Sequence, residues 1–225
     1  MKTCLVLEGG AMRGMFTAGA LDVFYSAGIR FDGIIGVSAG AAFGVNYLSG
    51  QPGRVIRYNK RFNSDHHYMG LIPLLKTGNI VDTEYAYDKV PRQLDPFDGD
   101  TFDASGVPFW AVVTNVETGQ AEYIRLEHAL EQMDVIRASA SMPFVSKPVK
   151  IDGKLYLDGG VADSIPFKAA EQLGDISRLP FSMKVLLENL LRNELLPREE
   201  DDLDKPKFSL LTLLKGKKDG GEDDE

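Results

Sequence analysis

Near its N-terminal end the chain reads Phe31-Asp32-Gly33-Ile34-Ile35-Gly36-Val37-Ser38-Ala39-Gly40-Ala41-Ala42. An apolar, β-prone run ends at Ser38, a glycine stands two residues to either side, and a run of helix-forming residues follows. This G-x-S-x-G pattern is typical of a strand–turn–helix unit whose serine projects from the carboxyl edge of a sheet. It predicts that Ser38 is a nucleophile that attacks an ester, and the alternative is an ordinary glycine-rich strand–helix turn.

The composition is that of an acidic globular chain. Its 225 residues, 44% of them hydrophobic, suit one α/β domain or at most two small ones. The net charge of −8 argues against a nucleic-acid partner, because phosphate binding needs a basic face. The single cysteine, Cys4, lies in the first apolar run, so we expect a buried thiol and a reducing cytoplasm. No apolar run is long enough for a signal peptide or a membrane span, so any lipid contact is expected to be peripheral.

Strands and helices alternate on both sides of the Ser38 turn. Residues 4–7 form a short apolar run that predicts a buried parallel strand. Residues 14–27 have helical spacing of their apolar side chains and end at Gly28; these side chains are Phe16, Ala20, Val23, Phe24 and Ala27. A right-handed crossover makes the 4–7 and 34–37 strands parallel, so the turn at residues 9–14 and the Ser38 turn emerge at one sheet edge.

The middle of the chain predicts a further helix and two hairpins. The helix after Ser38 is expected to run to about Leu48, and residues 109–116 and 121–125 form the first hairpin. Asp152-Gly153 is a strong turn signal for the second hairpin, whose second strand leads to Asp158-Gly159-Gly160. Residues 127–138 have helical periodicity, and we interpret His128, near their start, as a surface or capping residue.

The stretch Glu8-Gly9-Gly10-Ala11-Met12-Arg13-Gly14 is a glycine-rich turn that opens a helix. Such a turn leaves free backbone N–H groups at the positive end of the helix. A dinucleotide-binding turn is the competing interpretation, but Ala11 departs from the G-x-G-x-x-G pattern and the expected acidic residue is missing. A P-loop is excluded because no Gly-Lys-Ser/Thr follows.

Asp158 is the best candidate for a base that would take the serine proton. It follows an apolar strand and precedes two glycines, which let its carboxylate approach another residue closely. No histidine lies in a comparable motif. The alternative is a tight turn that uses Asp-Gly only for its shape.

Three polar clusters favour structural roles. We interpret the basic residues of 54–61 as a solvated helix face, with a lipid head-group surface as the alternative; they are Arg54, Arg57, Lys60 and Arg61. The acidic residues of 95–103 lack the spacing of a calcium loop, and adjacent His66 and His67 point in different directions. No metal or cofactor is therefore expected.

Taken together, the three glycine-containing motifs resemble those of the patatin-like phospholipases. That family has, in this order, a G-G-x-x-R-G turn, a G-x-S-x-G elbow and a D-G-[AG] turn. Here they are Gly9-Gly10-Ala11-Met12-Arg13-Gly14, Gly36-Val37-Ser38-Ala39-Gly40 and Asp158-Gly159-Gly160. The resemblance spans residues 4–174 and includes Ala138-Ser139-Ala140-Ser141-Met142-Pro143-Phe144 and Ser164-Ile165-Pro166.

The resemblance implies a three-layer α/β/α fold with a mostly parallel central sheet over residues 1–174. It also implies a serine acyl hydrolase that cleaves carboxylic esters of phospholipids, lysophospholipids or other acyl lipids without a cofactor. Ser38 would be the nucleophile and Asp158 the base, while the N–H groups of Gly9, Gly10 and Ala11, and as a further donor Ala39, would hold the oxyanion. Ala11 replaces a glycine common in the family. The alternative is a catalytically weak lipid-binding or interaction protein with a truncated sheet.

The pattern changes after Gly174. Residues 175–214 predict an atypical helical segment where the family has another strand, and residues 215–225 predict a disordered acidic tail. Residues 175–194 are similar to an aconitase segment but lack that family's iron–sulfur cysteines, so no chemistry is transferred from it. A chance likeness, a genuine replacement and an artefactual join of two reading frames all remain open.

Overall fold

The computed structural model of the chain describes residues 3–62, 65 and 67–173. Within them, one sheet contains six strands: β1 Cys4–Leu7, β2 Gly33–Val37, β3 Phe109–Asn115, β4 Ala121–Leu126, β5 Val149–Ile151 and β6 Lys154–Asp158. The α-helices in this part of the chain are α1 Gly14–Ser26, α2 Ala39–Leu48, α3 Arg54–Phe62, α4 Leu71–Thr77, α5 Gly99–Ala104, α6 Met133–Ser139 and α7 Phe167–Leu173. Ala11–Arg13 and Gly159–Val161 form 3-10 helices, and Tyr85–Leu94 forms a π-helix. The predicted segments 175–214 and 215–225 lie outside the described residues.

Parallel strands form the centre of the sheet. β1 pairs with β2, which pairs with β3, and Leu7 lies opposite Gly36 while Val37 lies opposite Val112. All five positions of β2 are buried, as a continuous apolar run in a central strand requires. The predicted α/β class and the β1–α1–β2 unit are therefore confirmed. Antiparallel pairings of β4 and β6 with β3, and of β5 with β6, complete the sheet.

β2 and β6 share one edge of β3 and approach each other from opposite directions. β2 ends with Val37 opposite Val112, and the antiparallel β6 ends with Asp158 opposite the next residue, Val113. β4 occupies the other edge of β3 along residues 109–114. The carboxyl ends of β2 and β6 therefore meet head to head beside β3.

Helices cover both faces of the sheet, which gives the predicted three layers. On one face, side chains of α1, α2, α5 and α6 pack with the strands, as Leu21, Val45 and Phe102 show. On the other face, Ala170 of α7 packs with Ile35 and Val37 of β2. The Ser38 turn thus emerges from a strand that is enclosed on both sides.

Two predicted helices are present with differences in detail. Gly14, Ala18 and Leu21 form the buried side of α1, whereas Phe16 and Val23 of the apolar stripe are 67% and 64% exposed. Helix α6 starts at Met133 rather than at residue 127. The Gln132 side chain explains this, because its Oε1 accepts the N–H groups of Glu127 and His128 and stabilises a turn there. Cys4 is only partly buried, and burial raises the pKa of its thiol.

The prediction of a solvated basic face is wrong for Arg54. Its side chain is 5% exposed, as is that of Asp95, and Arg54 Nε lies 3.3 Å from Asp95 Oδ1. Arg54 Nη1 donates to Asn46 Oδ1 at 2.7 Å, and the guanidinium also donates to the Asp95 carbonyl. Arg57 donates two hydrogen bonds of 2.8 Å to the Asp95 carboxylate from the surface. The ion pair therefore fastens α3 to α2 and to the loop before α5.

Candidate active site

Ser38 occupies a strained turn between β2 and α2. Its φ of 54° and ψ of −121° lie outside the regions that L-residues favour. Such strain typically costs about 1–3 kcal/mol and persists only where the surroundings enforce it. Here the start of α2 packs tightly on β1 and restrains the turn. A Cβ on Gly40 would lie only 2.3 Å from the Leu7 carbonyl oxygen.

The head-to-head strands bring Ser38 and Asp158 into direct contact. Ser38 Oγ donates to Asp158 Oδ2 at 2.6 Å, and the two residues are 8% and 6% exposed. The other carboxylate oxygen, Oδ1, accepts the N–H of Gly160 at 2.8 Å. Both oxygens of the carboxylate are thereby oriented, one toward the serine and one toward the backbone of its own turn.

Neither described histidine contacts this pair. His67 lies 3.1 Å from Asp65, and His128 lies 2.7 Å from Asp103 at the surface. The serine therefore has a carboxylate, rather than an imidazole, as its hydrogen-bond acceptor.

Burial tunes the Asp158 carboxylate. Desolvation raises the pKa of Asp158 above its ordinary value, while the hydrogen bonds from Ser38 and Gly160 oppose the rise. A raised pKa makes the carboxylate a stronger base. The arrangement can accept a proton from the hydroxyl that it already contacts.

The glycine-rich turn lies beside Ser38. A Cβ built on Gly9 would be 2.9 Å from Ser38 Cβ, and Gly14 is buried against Ala39 and Phe43. In the described part of the chain, the N–H groups of Gly9, Gly10 and Ala11 donate to no protein acceptor, and the same is true of the Ala39 N–H. The turn therefore presents free donors near the serine, as an oxyanion site requires.

The exposed residues of this turn include Ala11 and Arg13. Ala11 has a φ of 46°, a backbone conformation that a glycine adopts with less strain. Arg13 is exposed and contributes to the turn through its backbone, since its N–H donates to the Gly10 carbonyl at 2.9 Å. The structure thus brings the predicted donor residues to Ser38 but leaves the Arg13 guanidinium at the surface.

Three hydroxyl residues of the site were missed by sequence reasoning. Ser139 Oγ accepts the Ser38 N–H at 2.9 Å, and Thr114 Oγ1 donates to the Asp158 carbonyl at 2.8 Å. The Ser141 carbonyl accepts the Asp158 N–H at 2.8 Å. The stretch 138–144 carried part of the family resemblance, and its small hydroxyl side chains before Pro143 were the available signal.

The remaining polar clusters have partners of their own. Asp98 caps α5 by accepting the Thr101 N–H at 2.9 Å, and Asp95 is held by two arginines. Among the described residues, no group of three His, Cys, Asp or Glu side chains could hold a metal ion. Within the same residues, no helix has the length and apolar character of a membrane span.

Comparisons with known proteins give matches that cover most of this chain. The sequence profile of the family described as patatin-like phospholipase matches residues 5–171. YjjU of Escherichia coli, whose function is uncharacterised, is 34% identical over 179 residues, which are 77% of this chain and 49% of YjjU. The probable lipid hydrolase 463L of Invertebrate iridescent virus 6 is 24% identical over 74% of this chain and 62% of its own length. The crystal structure of VipD from Legionella pneumophila aligns with a TM-score of 0.43 and 15% identity over 80% of this chain and 48% of VipD.

Proposed function

Because the chain belongs to the patatin-like phospholipase family, we propose that it is a serine acyl hydrolase that uses Ser38 and Asp158 as a catalytic dyad. Its substrates are carboxylic esters of phospholipids, lysophospholipids or other acyl lipids. The name of the viral relative, a probable lipid hydrolase, supports the lipid class. The chain spans about half the length of YjjU, so the proposal concerns the part that the two proteins share.

The observation that carries the proposal is the 2.6 Å hydrogen bond from Ser38 Oγ to Asp158 Oδ2. As Oγ forms a bond to the ester carbonyl carbon, its proton passes to Oδ2, and the leaving alkoxide takes that proton when the C–O bond breaks. Water then attacks the acyl-serine and gives a proton to Asp158. Ser38 regains this proton when the carboxylic acid leaves.

The free N–H groups of Gly9, Gly10 and Ala11 would bind the oxygen that becomes negative in each tetrahedral intermediate. Their position beside Ser38 supports this role, as does the positive end of α2, which begins directly after the serine. Removal of one such donor typically slows an enzyme by about 10²–10³-fold. The turn therefore contributes to the rate on a scale comparable with the dyad.

Three exposed apolar side chains support contact with lipid. We call them the apolar rim: Leu71 and Leu75 on α4, and Phe144, are 74%, 85% and 103% exposed. Phe144 follows Ser141, whose carbonyl holds the dyad aspartate. It also precedes Val145, whose carbonyl accepts the Ile80 N–H at the base of α4. The segment 141–145, which contains Phe144, is thus hydrogen-bonded at one end to Asp158 and at the other end to Ile80, three residues after α4.

Two lysines flank the apolar rim. Lys76 lies in the last turn of α4, and the Lys147 side chain passes next to Gly78. Both are exposed, and within the described residues neither forms an ion pair. In a chain with a net charge of −8, this local positive charge favours a lipid surface with anionic head groups. We therefore include peripheral membrane contact in the proposed function.

A fluorophosphonate probe tests the dyad, because it labels an activated serine covalently. Wild type should be labelled and Ser38→Ala should not, whereas Ser26→Ala, which removes an exposed hydroxyl on α1, should be labelled like wild type. Asp158→Asn should fold but lose labelling and ester hydrolysis. Labelling of wild type no greater than that of Ser38→Ala would contradict the hydrolase proposal and favour the lipid-binding alternative.

A further inference from the structure

At the end of β2, a side-chain hydroxyl takes the place of one main-chain hydrogen bond between β2 and β3. Val37 is opposite Val112, so a further main-chain rung would join the Ser38 N–H to the Val112 carbonyl. Instead the Ser139 hydroxyl lies between them: it accepts the Ser38 N–H at 2.9 Å and donates to the Val112 carbonyl at 2.6 Å. Ser139 is completely buried, and both ends of its hydroxyl are engaged.

The inserted hydroxyl separates β2 from β3 where β6 enters. Gly159, directly after the dyad aspartate, packs so closely that a Cβ there would lie 2.2 Å from the same Val112 carbonyl oxygen. A direct bond from Ser38 to that carbonyl would draw the serine backbone toward the space that the Asp158–Gly159 turn occupies. The Ser139 side chain holds the two apart by the length of two hydrogen bonds.

The same end of α6 also holds the base. The Ser141 carbonyl, two residues after Ser139, accepts the Asp158 N–H at 2.8 Å. Residues 139–141 therefore hold the main chain of both members of the pair: the Ser139 hydroxyl binds the Ser38 N–H, and the Ser141 carbonyl binds the Asp158 N–H.

We propose that Ser139 is a positioning residue, whose hydroxyl sets the placement of Ser38 relative to Asp158 by replacing one rung of the β2–β3 ladder. The inference rests on the proposed hydrolase function for its kinetic consequence, but the structural claim concerns only the Ser38 main chain. Ser139 does not contact the reacting atoms. Its loss should affect the rate through the position of Ser38 Oγ.

The test compares two buried serines. Ser139→Ala removes the inserted hydroxyl, whereas the matched control Ser49→Ala removes a buried hydroxyl at the C-terminal end of α2 that donates to the Asn46 carbonyl and to Gln51 Oε1. With the fluorophosphonate probe, Ser139→Ala should lower the first-order labelling rate at saturation by roughly 10²-fold, since misplacement by about 1 Å has that effect. The concentration of probe giving half the maximal rate should change little, and Ser49→Ala should match wild type.

A loss of stability alone would not lower the saturating labelling rate while leaving the half-saturating probe concentration unchanged. The thermal unfolding midpoints of both variants identify any general destabilisation, and Ser139→Cys, a near-isosteric replacement with a weak donor, should recover part of the rate. Equal saturating rates for wild type and a folded Ser139→Ala would overturn the proposal.

A second readout does not depend on activity. The backbone amide resonance of Ser38 should shift and its hydrogen exchange should accelerate in Ser139→Ala or, if that variant does not fold, in Ser139→Cys. If wild type is not labelled by the probe, the hydrolase proposal fails and this measurement decides the positioning claim. An unchanged Ser38 amide would then overturn it.

Discussion

The apolar rim makes a quantitative prediction about membrane binding. Full burial of a Leu or Phe side chain contributes about 1.5–3 kcal/mol. Leu71, Leu75 and Phe144 are 74%, 85% and 103% exposed, so most of the surface of each residue remains to be buried. Allowing for partial insertion, we expect Gln at any one of these positions to weaken binding by about 1.4 kcal/mol, which is roughly tenfold. The triple substitution should abolish binding at micromolar lipid.

Sedimentation with phosphatidylcholine vesicles containing phosphatidylglycerol measures this binding. Val23→Gln is the matched control, because Val23 is 64% exposed on α1 outside the rim and should not affect binding. Replacing Lys76 and Lys147 with Gln should reduce the preference for anionic vesicles and the sensitivity to salt. Hydrolysis of a water-soluble short-chain ester should be unchanged in the triple variant. Wild-type vesicle binding by that variant would refute the assignment of the rim.

Two further predictions concern the dyad and its support. Ester hydrolysis should increase as the pH rises through the raised pKa of Asp158, because only the ionised carboxylate accepts a proton. The midpoint of the kcat/KM profile should lie above the ordinary Asp pKa of about 3.9. A midpoint at or below that value would contradict a buried base. The same shift destabilises the folded state as pH rises through that interval, and pH-dependent unfolding of Asp158→Asn should lack this loss. Gly159→Ala should lower the unfolding free energy by more than about 2 kcal/mol, because the added Cβ would lie 2.2 Å from the Val112 carbonyl oxygen. Gly19→Ala is the control: the space around Gly19 is open, so this substitution should stabilise α1 by about 0.5–1 kcal/mol. Equal urea denaturation midpoints for these two variants would refute the steric argument.

Local patterns were sufficient to predict much of the fold. The continuous apolar run of β2 predicted a central strand, and Asp152-Gly153 predicted the β5–β6 hairpin, whose turn residues both have positive φ. The right-handed crossover makes β1 and β2 parallel, which places the glycine-rich turn at the same sheet edge as Ser38. These features depend on short stretches of sequence and on the handedness of one crossover.

Other features depend on distant partners. Arg54 is buried because Asp95, 41 residues later in the chain, supplies its acceptors, and a helical pattern alone cannot reveal this. Ser139 reaches the Ser38 N–H across a separation of 101 residues, so its role requires the register of β2, β3 and β6. Helix α6 starts later than predicted because the Gln132 side chain accepts the backbone N–H groups of Glu127 and His128. The spacing of apolar residues carries no information about such a hydrogen bond.

The meeting of two strand ends beside β3 also determines when the site can exist during synthesis. Ser38 and Asp158 are 120 residues apart, and Asp158 reaches the sheet only after β3 is in place to receive β6. A nascent chain from which residue 158 has not yet emerged therefore has Ser38 without its hydrogen-bond partner. Because chains emerge at roughly 5–20 residues per second, several seconds separate the synthesis of Ser38 from that of Asp158. Under the proposed function, Ser38 acquires its base only after most of the domain has been made.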